Sequence, residues 1–156
     1  VGIYVEKGVA DIGIVGKDIL LENSHDIYEL LDLKFGKCKI CMASIKDYKE
    51  DIERRLRVAT KYINVSKKYF DSINRDVEII KLNGSVELAP ILNLSDVIID
   101  IVETGSTLKE NNLIVIKYIA DYISSRLIVN KVSFKFKNNS ITEIVKNIEE
   151  VLWLKL

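Results

Sequence analysis

An α/β fold with mostly parallel sheets is predicted by three observations on this sequence of 156 residues. Short β-branched runs alternate along the chain with stretches whose apolar residues recur at helical spacing. The most apolar run, residues 97–102, has the composition of a strand that is covered on both faces. Hydrophobic residues make up 48% of the chain, which at this length is enough for one domain or two small lobes.

The elements of the first half follow from local patterns of apolar, β-branched and charged residues. A short apolar run closed by Gly16 predicts the first strand, and apolar residues at helical spacing predict helices after the first and third strands. A charged stretch between the second and third strands also has helical composition. In order, these predictions are a strand over 9–15, a helix over 17–22, a strand over 37–44, a helix over 47–55, a strand over 56–60 and a helix over 62–70.

The second half continues the alternation and ends in an amphipathic helix, because six apolar residues of its last stretch fall on one helical stripe. The predicted elements are a strand over 77–82, a helix over 85–92, a strand over 97–102, a helix over 107–111, a strand over 114–122 and a helix over 141–154.

Two lobes are predicted, joined by a polar passage over residues 44–55. The first lobe is predicted to be discontinuous, with residues 1–44 and 128–156, and the second lobe to span residues 45–127. We expect the final helix to pack on the first lobe, because its apolar stripe needs a partner.

Composition excludes several classes of protein. The 23 basic and 23 acidic side chains cancel and are interspersed, so neither nucleic acid nor a membrane surface is expected as a partner. No apolar run approaches the ~20 residues of a membrane span, so an intracellular globular chain is expected. Because the chain opens on Val1 without a methionine, signal peptide or polar leader, it reads as though it starts inside a domain.

The strongest local signal for chemistry follows the strand predicted over 97–102. Asp100 and Glu103 precede a Thr-Gly-Ser-Thr run at 104–107 that leads into a helix. Gly105 permits the positive φ that turns successive N–H groups toward an anion, and the hydroxyls and the helix N-terminus add donors. A phosphate monoester fits such a turn, while the carboxylates suit sugar hydroxyls or a divalent metal. The alternative is that a hydroxyl of the run only caps the helix and that the acids are solvated.

Other runs give weaker signals. Ser85 and Glu87 follow a predicted strand after Gly84, and the alternative there is a simple N-cap with an acid in the first turn. Glycines near the start of the chain lack the spacing of a dinucleotide fingerprint, so that interpretation is rejected.

Cys38 and Cys41 form a C-x-x-C pair without a second pair of metal ligands, and His25 is the only histidine. A strand would place the two thiols on opposite faces, so we expect two reduced thiols, with neither zinc nor a disulfide. With one histidine, a hydrolase triad is also disfavoured.

Five blocks of sequence carry a family resemblance. They are YVEKGVADIGIVGKD at 4–18, LLDLKFGKC at 30–38, ATKY at 59–62, KLNGSVELAP at 81–90 and DIVETGSTL at 100–108, with SRLIVN following at 125–130. In this order they resemble the ATP phosphoribosyltransferase family of histidine biosynthesis.

The resemblance implies an α/β, two-lobed, periplasmic-binding-protein-like (type II) fold with its substrates in the cleft. It implies transfer of the phosphoribosyl group of phosphoribosyl pyrophosphate (PRPP) to N1 of ATP, with release of pyrophosphate, the first step of histidine biosynthesis. Mg²⁺ is implied as the cofactor that accompanies the pyrophosphate, with no metal ligand assigned in the chain. Such a displacement passes through an oxocarbenium-like state and needs positioning and electrostatics, not a covalent nucleophile.

Site residues are implied by the same resemblance. Asp100 and Glu103 are the catalytic candidates. The implied PRPP-binding residues are Asp100, Glu103, Thr104, Gly105, Ser106, Thr107 and Leu108. The implied ATP-binding residues are Asp11, Asp32 and Leu33, and the residues implied to line the cleft from the other lobe are Lys61, Tyr62, Ser85 and Glu87.

The resemblance further implies a cytoplasmic homo-oligomer of the short form, with a histidyl-tRNA-synthetase-like regulatory subunit. The family's opening strand and Lys-Gly-Arg segment are not found, so we expect a first lobe that is incomplete at its N-terminus and leave open the activity of the chain alone. Alternatives from other classes are a non-catalytic small-molecule binding module and a regulatory paralogue of the same fold. The intact run from Glu103 to Thr107 argues against both.

Overall fold

The structure is a computed structural model that describes residues 1–154, which form seven helices and eight strands. In chain order the elements are α1 (Gly2–Glu6), β1 (Ile12–Gly16), α2 (Lys17–Glu22), β2 (Ile27–Asp32), β3 (Cys38–Ile45), β4 (Leu56–Thr60), α3 (Ile63–Ser72), β5 (Val77–Lys81), α4 (Leu88–Ile91), β6 (Val97–Val102), α5 (Ser106–Glu110), β7 (Leu113–Ile123), β8 (Ser125–Asn130), α6 (Lys131–Phe136) and α7 (Asn138–Trp153). Within this described part of the chain, no helix is long and apolar enough to cross a bilayer.

Contacts divide the chain into two compact units. We call Cys38–Tyr122 the central unit, and we call the segments on either side of it, Val1–Lys37 and the chain from Ile123 onward, the terminal unit.

The central unit is built on a five-stranded sheet in the order β5-β4-β6-β3-β7. β4 is parallel to β5 and β6, whereas β3 is antiparallel to β6. The core that packs with α4 and α5 consists of Cys41, Ala43, Ala59, Val86, Ala89, Ile98, Leu108 and Leu113. Because Ile98 lies in β6 and Leu108 lies in α5, this core anchors both sides of the turn between those two elements.

The terminal unit is built on a three-stranded sheet in which β8 lies between β1 and β2 and is antiparallel to both. Its buried cluster consists of Val5, Val15 and Ile128. Asn130, at the end of β8, fastens α1 to this sheet, since its Nδ2 donates to the carbonyl oxygens of Val5 and Glu6 at 2.8 and 3.2 Å. The Asn130 Oδ1 accepts two backbone N–H groups and caps α6.

The boundaries of these units differ from those of the predicted lobes. The sequence places them at residues 44 and 128, whereas the structure divides after Lys37 and before Ile123. The reason is β3, which pairs with β6 and therefore belongs to the central sheet. Residues 46–55, most of the predicted passage, thus connect β3 and β4, two strands of one sheet. The final helix falls in the terminal unit, as expected, and residues 155 and 156 of the predicted first lobe lie outside the described residues.

The prediction of mostly parallel sheets is wrong, although the α/β class is confirmed. The three-stranded sheet is antiparallel and the five-stranded sheet is mixed. The parallel pairs are those of β4, where helices connect successive strands. Boundaries agree best for strongly periodic segments, such as the predicted helix over 17–22 and the strands over 56–60 and 97–102.

The predicted helix over 47–55 is wrong, because this segment is a turn followed by irregular chain. The Arg75 guanidinium donates to three backbone oxygens between residues 51 and 54, at distances of 2.9–3.1 Å. Arg54 donates to both carboxylate oxygens of Asp96, at 2.7 and 3.0 Å. Tertiary hydrogen bonds therefore replace those of a helix, which the charge pattern by itself does not reveal.

Other predictions are corrected in extent. The predicted helix over 85–92 shortens to α4, because Ser85 adopts φ +49° and leaves the helical region. The strand predicted over 9–15 begins at Ile12, after a turn in which Gly8 has φ +71°. Four elements are short and lack a clear period, so they were not among the predictions: α1, β2, β8 and α6.

Candidate functional site

The turn between β6 and α5 has the backbone geometry that its sequence predicts. β6 ends at Val102 and α5 begins at Ser106, with Gly105 as its N-cap residue. Gly105 has φ +78° and ψ 5°, the left-handed conformation, which confirms the prediction for this glycine. A Cβ atom added there would have Val102 Cγ1 as its nearest described neighbour, at 4.0 Å. The conformation, and not a lack of space, therefore favours glycine.

Hydroxyl groups lie on the exposed side of this turn. Thr104 Oγ1 and Ser106 Oγ are 2.9 Å apart, and the Ser106 N–H donates to Thr104 Oγ1 over 3.4 Å. The cap residue of α5 is a glycine, so its own side chain caps nothing. The alternative that a hydroxyl serves only as a helix cap therefore rests on one long hydrogen bond. The first N–H groups of a helix have no partner inside the helix, which leaves them to a ligand or to water.

A cavity of about 280 Å³ lies between this turn and the end of β6, within the central unit. Its lining includes all seven residues predicted to bind PRPP, namely Asp100, Glu103 and the run 104–108. It also includes Glu87, which precedes α4. The structure therefore brings Glu87, which precedes β6 in the sequence, close to residues 103–108, which follow it.

Three carboxylates line this cavity, those of Glu87, Asp100 and Glu103. Asp100 is half-buried, and its Oδ1 accepts the Ile101 N–H at 2.8 Å, which fixes the orientation of the carboxylate. Asp100 lies opposite Cys41 in the β3–β6 pair. Burial, together with the Asp100 charge, raises the pKa of the Cys41 thiol to about 11. Cys41 is therefore a neutral core thiol beside the site and is not a nucleophile of it.

Cys38 and Cys41 are both free thiols, three positions apart on β3. Cys41 is buried and Cys38 is half-buried. Their spacing places the side chains on opposite faces of the strand, as the sequence predicts.

Asp11, a predicted ATP contact, is bound to the start of the carboxyl-terminal helices inside the terminal unit. Its Oδ2 accepts from Lys137 Nζ and its Oδ1 from Ser133 Oγ, both at 2.7 Å. The hydrogen bond from Lys137, followed by that from Ser133, lowers the pKa of Asp11. Asp11 thus holds α6 in place, and its contact with a nucleotide stays a prediction.

Asp32 and Leu33, the other predicted ATP contacts, lie at the end of β2. Asp32 Oδ1 accepts from Ser124 Oγ at 2.6 Å and from the Lys34 N–H at 2.9 Å, and Arg126 Nη1 lies 3.1 Å from its Oδ2. Leu33 is buried, and its N–H donates to the first residue of β8 at 2.9 Å. The Asp32 carboxylate is therefore oriented by three donors, while 26% of its side chain stays exposed.

Of the four residues implied to line a cleft, the structure places Glu87 in the cavity beside the turn. Tyr62 is buried at 1% exposure, and Lys61 Nζ lies 4.8 Å from the centre of its ring. Ser85 is exposed at φ +49°, so the alternative that it caps a helix is wrong. Lys61, Tyr62 and Ser85 do not line this cavity.

Sequence reasoning missed Ser124 and Arg126, which orient Asp32 from 92 and more positions along the chain. The only signal was the SRLIVN block at 125–130, which contains Arg126 and begins one residue after Ser124. No local pattern connects that block with β2, because the two segments meet only through sheet pairing.

The chain is similar to known proteins over nearly its whole length. A family model described as HisG, ATP phosphoribosyltransferase, matches residues 1–150. The ATP phosphoribosyltransferase of Brachyspira hyodysenteriae is 84% identical over 152 residues, which cover 97% of this chain and 74% of that protein. The ATP phosphoribosyltransferase of Clostridioides difficile is 56% identical over 151 residues, which cover 95% of this chain and 71% of that protein.

Two solved structures extend the comparison. The ATP phosphoribosyl transferase (HisG:HisZ) complex from Thermotoga maritima matches with a TM-score of 0.87 and 39% identity, over 97% of this chain and 75% of the matched chain. The substrate binding protein of an amino acid ABC transporter matches with a TM-score of 0.68 and 15% identity, over 99% of this chain and 70% of the matched one. The second likeness concerns the fold alone.

The fold places the chain among α/β proteins of the periplasmic-binding-protein-like (type II) class, here with an acid-lined glycine turn at the end of a central strand. Within that class the sequence comparisons show one family. The chain belongs to the HisG family of ATP phosphoribosyltransferases, the transferases of the first step of histidine biosynthesis.

Proposed function

We propose that this chain transfers the phosphoribosyl group of PRPP to N1 of ATP, with Asp100 and residues 103–108 as the PRPP site. The observation that carries the proposal is the cavity, whose lining combines a left-handed glycine turn, hydroxyls and three carboxylates. N–H and O–H donors suit the 5′-phosphate, whereas carboxylates accept hydrogen bonds from the ribose hydroxyls. One molecule of PRPP carries both the 5′-phosphate and the ribose hydroxyls.

Asp100 and Glu103 are proposed to act on the ribose. Adenine N1 forms its bond to C1 as the bond to pyrophosphate breaks, so positive charge develops on the sugar in the transition state. Carboxylates close to the ring stabilise that charge more than they stabilise the neutral ground state. Asp100 is held by the Ile101 N–H, so it needs little reorganisation during the reaction.

Magnesium would reach the site with the pyrophosphate. In the described part of the chain, no cluster of three or more acidic, histidine or cysteine side chains is placed to hold a metal ion. The separate hard oxygens of Glu87, Asp100 and Glu103 fit an ion that takes one or two carboxylates and its other ligands from phosphates and water. Such an ion supplies positive charge to the leaving pyrophosphate.

Asp32 is the ATP contact that the geometry supports best. Three donors orient its carboxylate, and a fraction of the side chain stays open to a ligand. An oriented carboxylate that is partly exposed can accept a hydrogen bond from the amino group of an adenine. Asp11, which already bonds Lys137 and Ser133, would contact ATP only through the oxygen edges that these bonds leave open.

A regulatory subunit of the HisZ kind is proposed as a partner, in the cytoplasm. The support is the Thermotoga maritima HisG:HisZ complex, whose matched chain is 39% identical to this one. Co-purification of this chain with a HisZ subunit from a close relative tests the partnership. A chain that elutes apart from HisZ at all concentrations would contradict it.

Asp100→Asn and Glu103→Gln test the proposed function, since each removes a charge and keeps the shape. We expect turnover to fall roughly 100-fold or more while PRPP affinity changes much less, because the charge matters most in the transition state. The readout is phosphoribosyl-ATP formation with Mg²⁺ and HisZ, beside calorimetric titration of PRPP.

Glu110→Gln is the matched control, because this exposed acid of α5 does not line the cavity. The assay uses the chain as it stands and, beside it, the same chain extended to the full length of its Brachyspira hyodysenteriae relative, of which it covers 74%. Wild-type turnover in both acid variants would favour the helix-cap alternative for this turn.

A further inference from the structure

Thr60 is a polar residue at the carboxyl end of β4, and its side chain is buried at 0% exposure. Its Oγ1 donates a hydrogen bond to the backbone oxygen of Ile99 at 2.6 Å and accepts one from the Tyr62 N–H at 2.9 Å. The buried hydroxyl therefore uses both its donor and an acceptor site. Since Tyr62 is the N-cap residue of α3, this one side chain joins the end of β4 to β6 and to the start of α3.

The Ile99 oxygen belongs to the peptide group that leads into Asp100. A peptide group is planar, so a hydrogen bond to its oxygen also restrains the plane that carries the nitrogen and Cα of the next residue. On its other side, the Asp100 carboxylate accepts the Ile101 N–H at 2.8 Å. The Thr60 hydroxyl thus holds the backbone directly before a carboxylate that lines the cavity.

The position of this hydrogen bond in the sheet gives it a particular effect on Asp100. β4 and β6 are parallel, and their register ends with Thr60 opposite Ile99. The chain then leaves the sheet and enters α3 at Ile63, so β6 continues from Asp100 onward past the end of β4. The side-chain hydrogen bond from Thr60 therefore restrains β6 at the point where its pairing with β4 stops.

We propose that Thr60 is a positioning residue, whose hydroxyl keeps Asp100 in the orientation that favours phosphoribosyl transfer. The buried hydroxyl does not reach a ligand, so its effect on turnover passes through the backbone atoms that it bonds. Misplacement of a reacting or stabilising group by about 1 Å can cost roughly 100-fold in rate, so a small rotation of this peptide is enough to matter. The inference rests on the role of Asp100 in the proposed function.

Thr60→Val tests the positioning role, since it removes the hydroxyl and keeps the β-branched shape. We expect kcat to fall roughly tenfold while the KM for PRPP changes less than about twofold, because the Asp100 charge matters most in the transition state. Thr60→Ser retains a hydroxyl and should keep kcat within about threefold of the native value. Thr60→Ala should lower kcat as valine does, so the result does not depend on how one side chain packs. The readout is phosphoribosyl-ATP formation with Mg²⁺ and HisZ.

Ser44→Ala is the matched control, because it removes an equally buried hydroxyl from the opposite end of β6. Ser44 is 0% exposed and donates to the backbone oxygen of Asp96, the residue before β6, at 2.5 Å. This variant should lower the Tm and leave kcat at the native value. Circular dichroism and thermal unfolding check that each variant is folded at the temperature of the assay.

A double variant distinguishes an effect through Asp100 from a general loss of structure. In the Asp100→Asn background, Thr60→Val should lower kcat less than about twofold further, because the charge that it positions is already absent. The full tenfold loss in that background, or a native kcat in Thr60→Val beside an impaired Asp100→Asn, overturns the positioning role alone. A loss in Thr60→Ser as large as that in Thr60→Val overturns it too. Native turnover in Asp100→Asn would instead overturn the proposed role of Asp100, and the positioning role with it.

Discussion

Gly105 and Ser124 show how single residues set the geometry of the candidate site. Gly105 carries the chain through the left-handed region at φ +78°, so that the turn after β6 can close. Ser124 donates to Asp32 over 2.6 Å and holds its carboxylate in one orientation. Gly105 thus shapes the backbone of the turn, and Ser124 orients the carboxylate of another residue.

Gly105→Ala should weaken PRPP binding more than it weakens folding. Alanine in the left-handed region costs about 1–2 kcal/mol, and the turn relieves that strain by shifting its N–H groups away from the phosphate. Gly84→Ala is the control, since Gly84 lacks a positive φ and a Cβ there meets no atom within 4 Å. Thermal unfolding and PRPP titration measure the two effects. Unchanged PRPP affinity in a variant with a lowered Tm would refute this expectation.

Ser124→Ala should raise the KM for ATP and leave the KM for PRPP unchanged. Removal of one hydrogen bond to a carboxylate costs about 1 kcal/mol, so an increase of roughly threefold to tenfold is expected. Ser72→Ala is the control, because that hydroxyl donates to the Tyr69 backbone oxygen at an exposed place on α3. Steady-state kinetics with each substrate varied in turn gives the result. Equal changes in both KM values would mean a general loss of structure.

At the scale of elements, Asp96 joins β4, β6 and the irregular segment before β4. Its carboxylate accepts from Arg54, from the Arg57 side chain and from the Arg57 N–H, at 2.7–3.0 Å for the shortest bonds. Ser44 at the end of β3 donates to its backbone oxygen at 2.5 Å. Burial alone would raise the pKa of Asp96, but the hydrogen bonds from Arg57 and Arg54 outweigh it and hold the pKa well below its usual range.

Asp96→Asn should destabilise the chain by about 2 kcal/mol at neutral pH, because the arginines lose a buried acceptor charge. The folded pKa lies below the unfolded value, so this stabilisation is complete above about pH 4 and is lost as the pH falls toward the folded pKa. Urea unfolding from pH 7 to pH 3 should therefore show a difference between native and variant chains that shrinks in acid.

Asp76→Asn is the control for this measurement, because Asp76 is 78% exposed and pairs with the exposed Arg55. Exposed pairs contribute about 0–1 kcal/mol, so little change is expected there. If Asp96→Asn lowered the free energy of unfolding by the same amount at every pH, Asp96 would not stabilise the chain through its charge.

At the scale of the whole molecule, the two units differ in how the chain builds them. The central unit is one continuous segment, Cys38–Tyr122. The terminal unit needs both ends of the chain, because its middle strand β8 follows the central unit whereas β1 and β2 precede it. Its sheet therefore forms only through long-range closure, which is entropically costly.

A fragment of residues 38–122 should fold by itself, whereas residues 1–37 should not. Without β8, both β1 and β2 lose the strand that they pair with. Far-ultraviolet circular dichroism and the cooperativity of thermal unfolding distinguish the two fragments. Mixing residues 1–37 with residues 123–156 is the matched complementation test and should restore structure. A folded 1–37 fragment would contradict the role given to β8.

Local patterns determined the elements that carry their own period and the chemistry of the turn. The strands over 56–60 and 97–102 could be predicted because each is a short, mainly apolar and β-branched run, and the helix over 17–22 because its apolar residues recur at helical spacing. The left-handed Gly105 is readable because a single residue type permits that conformation. The family resemblance is likewise a property of ordered blocks along the chain.

Only the tertiary structure decided the rest, because those features depend on partners far away in sequence. The segment 47–55 has helical composition, yet Arg75 and Asp96 take its hydrogen bonds and hold it irregular. β8 is a short run of no clear period until β1 and β2 pair with it, and this pairing also brings Ser124 to Asp32. A sequence pattern records what a segment can bury, whereas long-range hydrogen bonds and strand pairing decide where it is buried.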